Sequence, residues 1–219
     1  MCHQFEGAND MRGRKKAGVI LCSILCLAML LISGCSQTKV PETLSVPAIS
    51  VTGKGKVTAY LIEDFDKAYY DLEELRAMVV QELAEFNSSH KTADGKDAVT
   101  MVSLGKMTDG SQKVQLVLEF QNTAAYTDYT GMELFYGTVT QAHEAGCNLD
   151  TELTSVKDGT TIDEMGIYGQ GTKNILIAQE KVRIYGPGTA LYISTGAALN
   201  DDGSIEPSDT EDSTYIIMK

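Results

Sequence analysis

The clearest periodicity in the chain lies over residues 71–88. Leu72, Leu75, Val79, Leu83 and Phe86 recur at three- and four-residue steps, which places them on one face of a helix. Asp71 stands at the N-cap position with Glu74 three residues on, a capping-box spacing with Asp in the usual Ser/Thr place. Asn87-Ser88-Ser89 closes the helix, and Thr92-Ala93-Asp94-Gly95 reads as a turn. Elsewhere the period is two. Residues 49–62 alternate weakly through Val51, Val57, Tyr60 and Ile62, and Gly53-Lys54-Gly55 interrupts them, which predicts a hairpin or a bulged long strand. Residues 98–104 and 113–121 predict strands, the second with Val114, Leu116, Leu118 and Phe120 on one face and the turn Asp109-Gly110 before it.

Asn122 caps a short helix over 122–126. Residues 132–145 read as a further helix ended by Gly146, weakened by Gly137 and Thr138-Val139-Thr140. From Asn174 onward the pattern is strands, over 175–179, 182–185, 190–195 and 215–218. Gly186-Pro187-Gly188 and Asn200-Asp201-Asp202-Gly203 supply turns, and 208–213 is a polar loop. This order implies an α+β domain with a mainly antiparallel sheet, one long helix and one or two shorter helices packed on one face.

Upstream, Arg12-Gly13-Arg14-Lys15-Lys16 precedes an apolar run over 17–32, then Ile32-Ser33-Gly34-Cys35. The run is short for a membrane span of about 20 residues and suits a signal-peptide core, with the basic residues on the cytoplasmic side. This arrangement resembles a bacterial lipoprotein precursor, and Ile32-Ser33-Gly34-Cys35 resembles the lipobox. The resemblance implies cleavage after Ile32, Ser33 and Gly34, with a diacylglyceryl group and palmitate-type acylation on Cys35. The protein would then sit on the extracytoplasmic face of the cell membrane as a lipid-anchored surface protein. Residues 1–10 carry Glu6 and Asp10, whereas a signal n-region is basic; Met11 is the expected true start. Residues 36–48 are polar, hold Pro41 and Pro47, and read as a tether. The expected organisation is a signal peptide over 1–34, lipidated Cys35 and tether to 48, and one α+β domain over 49–219. The exported part is similar in overall character to small uncharacterised lipoproteins of Gram-positive bacteria.

Charge narrows the partners. The chain holds 18 basic and 30 acidic residues; removal of residues 1–34 leaves 14 and 28, a net of −14. Nucleic acid, which needs a basic footprint, is excluded as a partner. Anionic lipid gains nothing from this surface either; membrane lipid would be engaged through Cys35, and more than one acyl chain is needed for stable anchoring. Of five cysteines only Cys147 lies beyond Cys35, so the mature chain has no intramolecular disulfide and stands on its core.

No stretch supplies a catalytic set, and no cofactor or metal is expected. Gly166 to Lys173 superficially parallels a phosphate-binding loop, but Thr172 and Lys173 are transposed and no helix pattern follows; it reads as a loop between strands. Glu63-Asp64-Phe65-Asp66 places three carboxylates in four residues, yet neither it nor the acids at 94, 97, 201, 202, 206, 209, 211 and 212 match a calcium loop. His143 and Cys147 are four apart, with too few companions for zinc or for a nucleophilic pair. Tyr69-Tyr70 and Tyr126-x-x-Tyr129 could stack on a ligand, although half-buried tyrosines at a core edge are the commoner reason for such pairs.

Two functions follow. The first is a non-enzymatic binding or envelope-assembly module for a protein or cell-envelope ligand, whose site would be a concave, partly apolar, tyrosine-lined surface. The second is an exported carboxylate-dependent hydrolase using Glu63, Asp64 and Asp66, which needs two acids in one cleft with one of them in an apolar pocket. A transporter's receptor lipoprotein, with its two parallel-sheet lobes, suits this shorter and more antiparallel chain less well.

Overall fold

A computed structural model describes residues 39–219; Cys35 and the Ile32-Ser33-Gly34 triplet lie outside the described residues. The first two strands, β1 (Ala48–Val51) and β2 (Val57–Asp64), form the expected hairpin. Its turn needs Gly55, whose φ of 78° suits a residue without Cβ. Helix α1 (Leu72–Ser89) follows, opened by Asp71 Oδ1, which accepts from the amides of Glu73 and Glu74. Asp71 therefore makes this cap without a return bond from Glu74. Strands β3 (Val99–Lys106) and β4 (Lys113–Phe120) pair antiparallel, with a bulge at Met101/Ser103.

Helix α2 (Thr123–Thr130) is capped by Asn122 and runs one turn beyond its expected end, to a left-handed Gly131. The helix expected over 132–145 is instead strand β5 (Leu134–Thr138) followed by short helix α3 (Val139–Glu144). Thr138 ends the strand and starts the helix in a reciprocal capping box with Gln141. The chain then forms β6 (Leu153–Ser155), β7 (Thr161–Ile162), α4 (Glu164–Tyr168), β8 (Asn174–Ala178), β9 (Arg183–Tyr185), β10 (Ala190–Ser194), β11 (Ala198–Leu199), β12 (Ile205–Glu206) and β13 (Thr214–Met218).

The fold is a sheet-dominated α+β arrangement with mostly antiparallel strands, built on two sheets rather than one. One sheet has the order β11-β12-β9-β1-β2-β4-β3, the other β5-β8-β13-β10-β6-β7. The exception to antiparallel pairing is β1 with β9. Four helices are present among the described residues, and only α1 and α2 exceed two turns.

Period-two burial shows how the layers meet. Ile49, Val51, Val57, Leu118, Phe120 and Ile184 of the first sheet share a core with Leu176, Ala178, Ile193, Ile216 and Met218 of the second. Val79 and Leu83 of α1, with Ala125 and Tyr126 of α2, complete that core. The opposite residues of β8 and β13, Ile175, Ile177, Tyr215 and Ile217, enter a second cluster covered by α3 and α4 through Val139, Ala142 and Ile167. The helices thus occupy two layers, not the single face expected. The segment read as a tether contributes Leu44, 5% exposed, to a third cluster with Ala48, Ile62 and Tyr185 on the outer face of the first sheet.

Candidate functional site

The carboxylates singled out from the sequence lie at the end of β2 and just beyond it. Glu63, Asp64 and Asp66 are all exposed. Asp66 pairs with Lys67 at 3.0 Å, and Asp64 lies 3.8 Å from Lys113. Such exposed pairs contribute little to stability. None of the trio is enclosed in the apolar surroundings that turn a carboxylate into a general acid: Glu63 and Asp64 stand exposed on the rim of a groove, and Asp66 lies outside it.

What β2 does build is a groove. Its residues alternate between faces, and each lies opposite a β4 residue on the same face. Val57↔Phe120 and Ala59↔Leu118 belong to the buried core. The same face continues as Leu61↔Leu116 and Glu63↔Val114. The result is a concave site of about 400 Å³. Leu61, Val114 and Leu116 form its floor, and Leu75 and Met78 of α1 form one wall. The other wall is the connection from β2 to α1, which supplies Phe65, Tyr69 and Tyr70. The three rings pack in series: Phe65 to Tyr70 at 5.1 Å, Tyr70 to Tyr69 at 5.0 Å and 76° between planes. The Tyr69–Tyr70 contact sets a ring edge against its neighbour's face, and Phe65 lies tilted by 34° against Tyr70.

Exposed apolar surface is concentrated here. Tyr69 is 76% exposed and Met78 67%, with Leu61 and Tyr70 near 40%. The rim carries Glu63, Asp64, Asp71 and Glu74, and no Lys or Arg is among the residues lining the groove. Asp71 is engaged as the helix cap and Asp64 faces Lys113; Glu63 and Glu74 have no partner. Glu63 stands where the alternation of β2 would otherwise place another apolar residue. On the far side of Phe65, Lys106 Nζ lies 5.4 Å from the ring centroid.

Three larger depressions are more polar, and the smallest of them, about 440 Å³, lies between α1 and the start of β3. One, of about 510 Å³, runs between residues 42–45 and the loop after β3. Another, of about 470 Å³, is bordered by Glu133, Asp150, Glu211, Asp212 and Cys147. Burial, and secondarily the Glu133 carboxylate, push the Cys147 thiol up, which is opposite to the activation a nucleophile needs. His143 packs edge-on against Tyr168 at 5.1 Å instead of meeting Cys147. Residues 166–173 are not simply a loop, because α4 runs through their first half from an Asp163 cap. Here the helix precedes the loop and a strand follows, the reverse of a phosphate-binding loop.

The two tyrosine pairs separate. Tyr126 is 1% exposed in the core, with its hydroxyl buried and unpartnered, and Tyr129 donates to Glu82 at 2.8 Å from the core edge. Tyr69-Tyr70 instead face solvent and join Glu63 and Asp64 in one groove, two features that sequence reasoning held apart. Met78 was missed. Its signal was the run Met78-Val79-Val80, three consecutive apolar residues that an amphipathic helix cannot bury together.

Among the described residues no helix is long and apolar enough to cross a membrane, and no group of three or more His, Cys, Asp or Glu is placed to hold a metal ion. Comparison with known proteins returns no matching family model, no matching characterised protein and no matching solved structure.

Proposed function

We propose that this chain is a lipid-anchored protein of the extracytoplasmic membrane face, held through Cys35, whose domain works as a non-enzymatic binding or envelope-assembly module. The groove between β2, β4 and α1 is its binding surface. The carrying observation is the concentration of exposed Tyr69, Tyr70, Leu61 and Met78 in one concave site, since clustered apolar exposure rimmed by polar groups marks an interaction surface. The order of basic, apolar and small residues before Cys35 supports the anchor. The groove supports the module over the carboxylate hydrolase, whose three acids are exposed and partly paired with lysines.

Two measurements test this. Intact mass of the protein from a host membrane fraction, beside Cys35→Ala, should show a chain beginning at Cys35 with acyl chains, lost in the variant. An unmodified mass that retains the N-terminal segment removes the anchor. For the module, the full chain in detergent micelles with 13C-methyl methionine is titrated with a neutral aromatic peptide. The Met78 methyl, assigned with Met78→Leu, should shift in wild type and not in Tyr70→Ala. A Met78 signal that ignores every apolar probe removes the groove as a binding surface.

A further inference from the structure

We propose that the groove takes a short extended peptide segment in which an apolar side chain is flanked by Lys or Arg. This rests on the binding-module reading and adds the chemistry of the partner. The apolar side chain would seat on Leu61, Leu116 and Met78, and the cation would meet Glu63 and Glu74.

Charge complementarity carries the argument. The four charged groups on the lining, Glu63, Asp64, Asp71 and Glu74, are all carboxylates, and two of them have no partner. An apolar occupant alone would bury Glu63 and Glu74 beside it without compensation, which is costly for a charged group. An occupant that brings its own cation removes that cost, and the faces of Tyr69 and Tyr70 add cation–π attraction. An acidic or phosphorylated segment would be repelled. A second copy of this chain is also opposed, because it would set one acidic rim against another in a protein of net charge −12. Length agrees with a peptide. Leu72 to Met78 spans about 9 Å of helix axis, which about three extended residues cover at roughly 3.3 Å each.

The chain contains no tryptophan, so a tryptophan in the probe reports binding without background. The full chain in nonionic detergent is titrated with Gly-Lys-Trp-Lys-Gly, Gly-Ser-Trp-Ser-Gly and Gly-Glu-Trp-Glu-Gly, with empty micelles as the reference. At low salt the lysine probe should bind about tenfold tighter than the serine probe, with the glutamate probe weakest, and 0.5 M NaCl should erase most of that preference. Glu63→Gln with Glu74→Gln should reduce lysine-probe affinity about tenfold and, by removing two uncompensated charges, tighten rather than weaken the serine probe. Tyr69→Ala, at an exposed position that does not threaten folding, should weaken both.

Equal binding of the lysine and serine probes, both lost in Tyr69→Ala, would overturn the cationic partner while leaving the groove as a binding surface. No binding by any probe would overturn the peptide, and the Met78 titration then decides the broader reading separately. A dimer dissociated by Met78→Asp, with no probe bound, would assign the groove to a second copy and overturn the proposal.

Discussion

Asn87 and Val99 form a reciprocal pair: the Asn87 Nδ2 donates to the Val99 carbonyl at 2.8 Å, and the Val99 amide donates to Asn87 Oδ1 at 3.1 Å. Val99 lies on β3, the edge strand of the first sheet, and these two backbone groups point away from β4. One side chain on α1 thus stands in for the missing strand. Arg76 does the same at the other end of β3, donating from Nη2 to the Leu104 carbonyl at 2.8 Å. Together they fix α1 across the sheet and blunt an edge that would otherwise template aggregation. Asn87→Ala leaves a buried donor and acceptor unpaired and should cost about 2–4 kcal/mol, read as a drop in the urea midpoint. It should also raise the soluble oligomer fraction. Arg76→Ala, at a more exposed bond, should cost about 1 kcal/mol.

The parts of the fold legible in the sequence are those long enough to show a period. Residues 113–120 alternate over eight positions and α1 repeats over five turns, and both stand where expected. The two- and three-residue strands β6, β7, β11 and β12 fall below any period and exist because a neighbour pairs with them. β5 was misread because Leu134 and Phe135 suit either element, and its extended form is settled by pairing with β8. Glu63, Asp64, Tyr69 and Tyr70 were each visible as chemistry. That they share a groove depends on the Leu61↔Leu116 register and on how far α1 covers the sheet, which are properties of packing.

Tyr69 and Tyr70 should separate binding from folding. Tyr69 is mostly exposed and touches Tyr70 edge-on, so Tyr69→Ala should change stability by no more than about 0.5 kcal/mol. Tyr70 packs against Phe65 as well, and Tyr70→Ala should cost about 1–2 kcal/mol. Thermal unfolding of the two variants beside the lysine-probe titration should show similar binding losses with unequal shifts in Tm. Parallel losses in both measurements would mean the rings are structural.

Cys147 should be a slow thiol. Its pKa is raised by burial and then by Glu133, so the thiolate fraction at pH 7 is below that of free cysteine. Iodoacetamide labelling, followed by mass analysis of the Cys147 peptide, should run slower than for glutathione at pH 7. The rate should rise with pH past the range where glutathione levels off. Glu133→Gln should recover part of the rate. Labelling faster than glutathione would return Cys147 to the set of nucleophile candidates.

The turn between β11 and β12 should give the protein an acid-sensitive joint. Asp202 Oδ1 accepts from the Ser204 hydroxyl at 2.5 Å and its amide at 3.0 Å, and Oδ2 accepts from the Tyr185 hydroxyl at 3.0 Å. The Ser204 hydroxyl, then its amide and Tyr185, hold the Asp202 carboxyl below its usual value. The folded state therefore binds fewer protons than the unfolded chain between the lowered value and the ordinary one near 3.9. The stabilisation is complete above about pH 5 and is lost as pH falls through the lowered value. Because Asp202 is exposed, solvent screens the effect, and Asp202→Asn should lower Tm at pH 7 by less than about 2 °C. The gap between wild type and variant should narrow as pH falls through that lowered value. Asp158 and Asp109 are lowered by comparable serine and threonine hydroxyl contacts, so wild type should keep losing stability on acidification even in the variant. A Tm difference that widened toward pH 2 would contradict the assigned role of the Asp202 carboxylate.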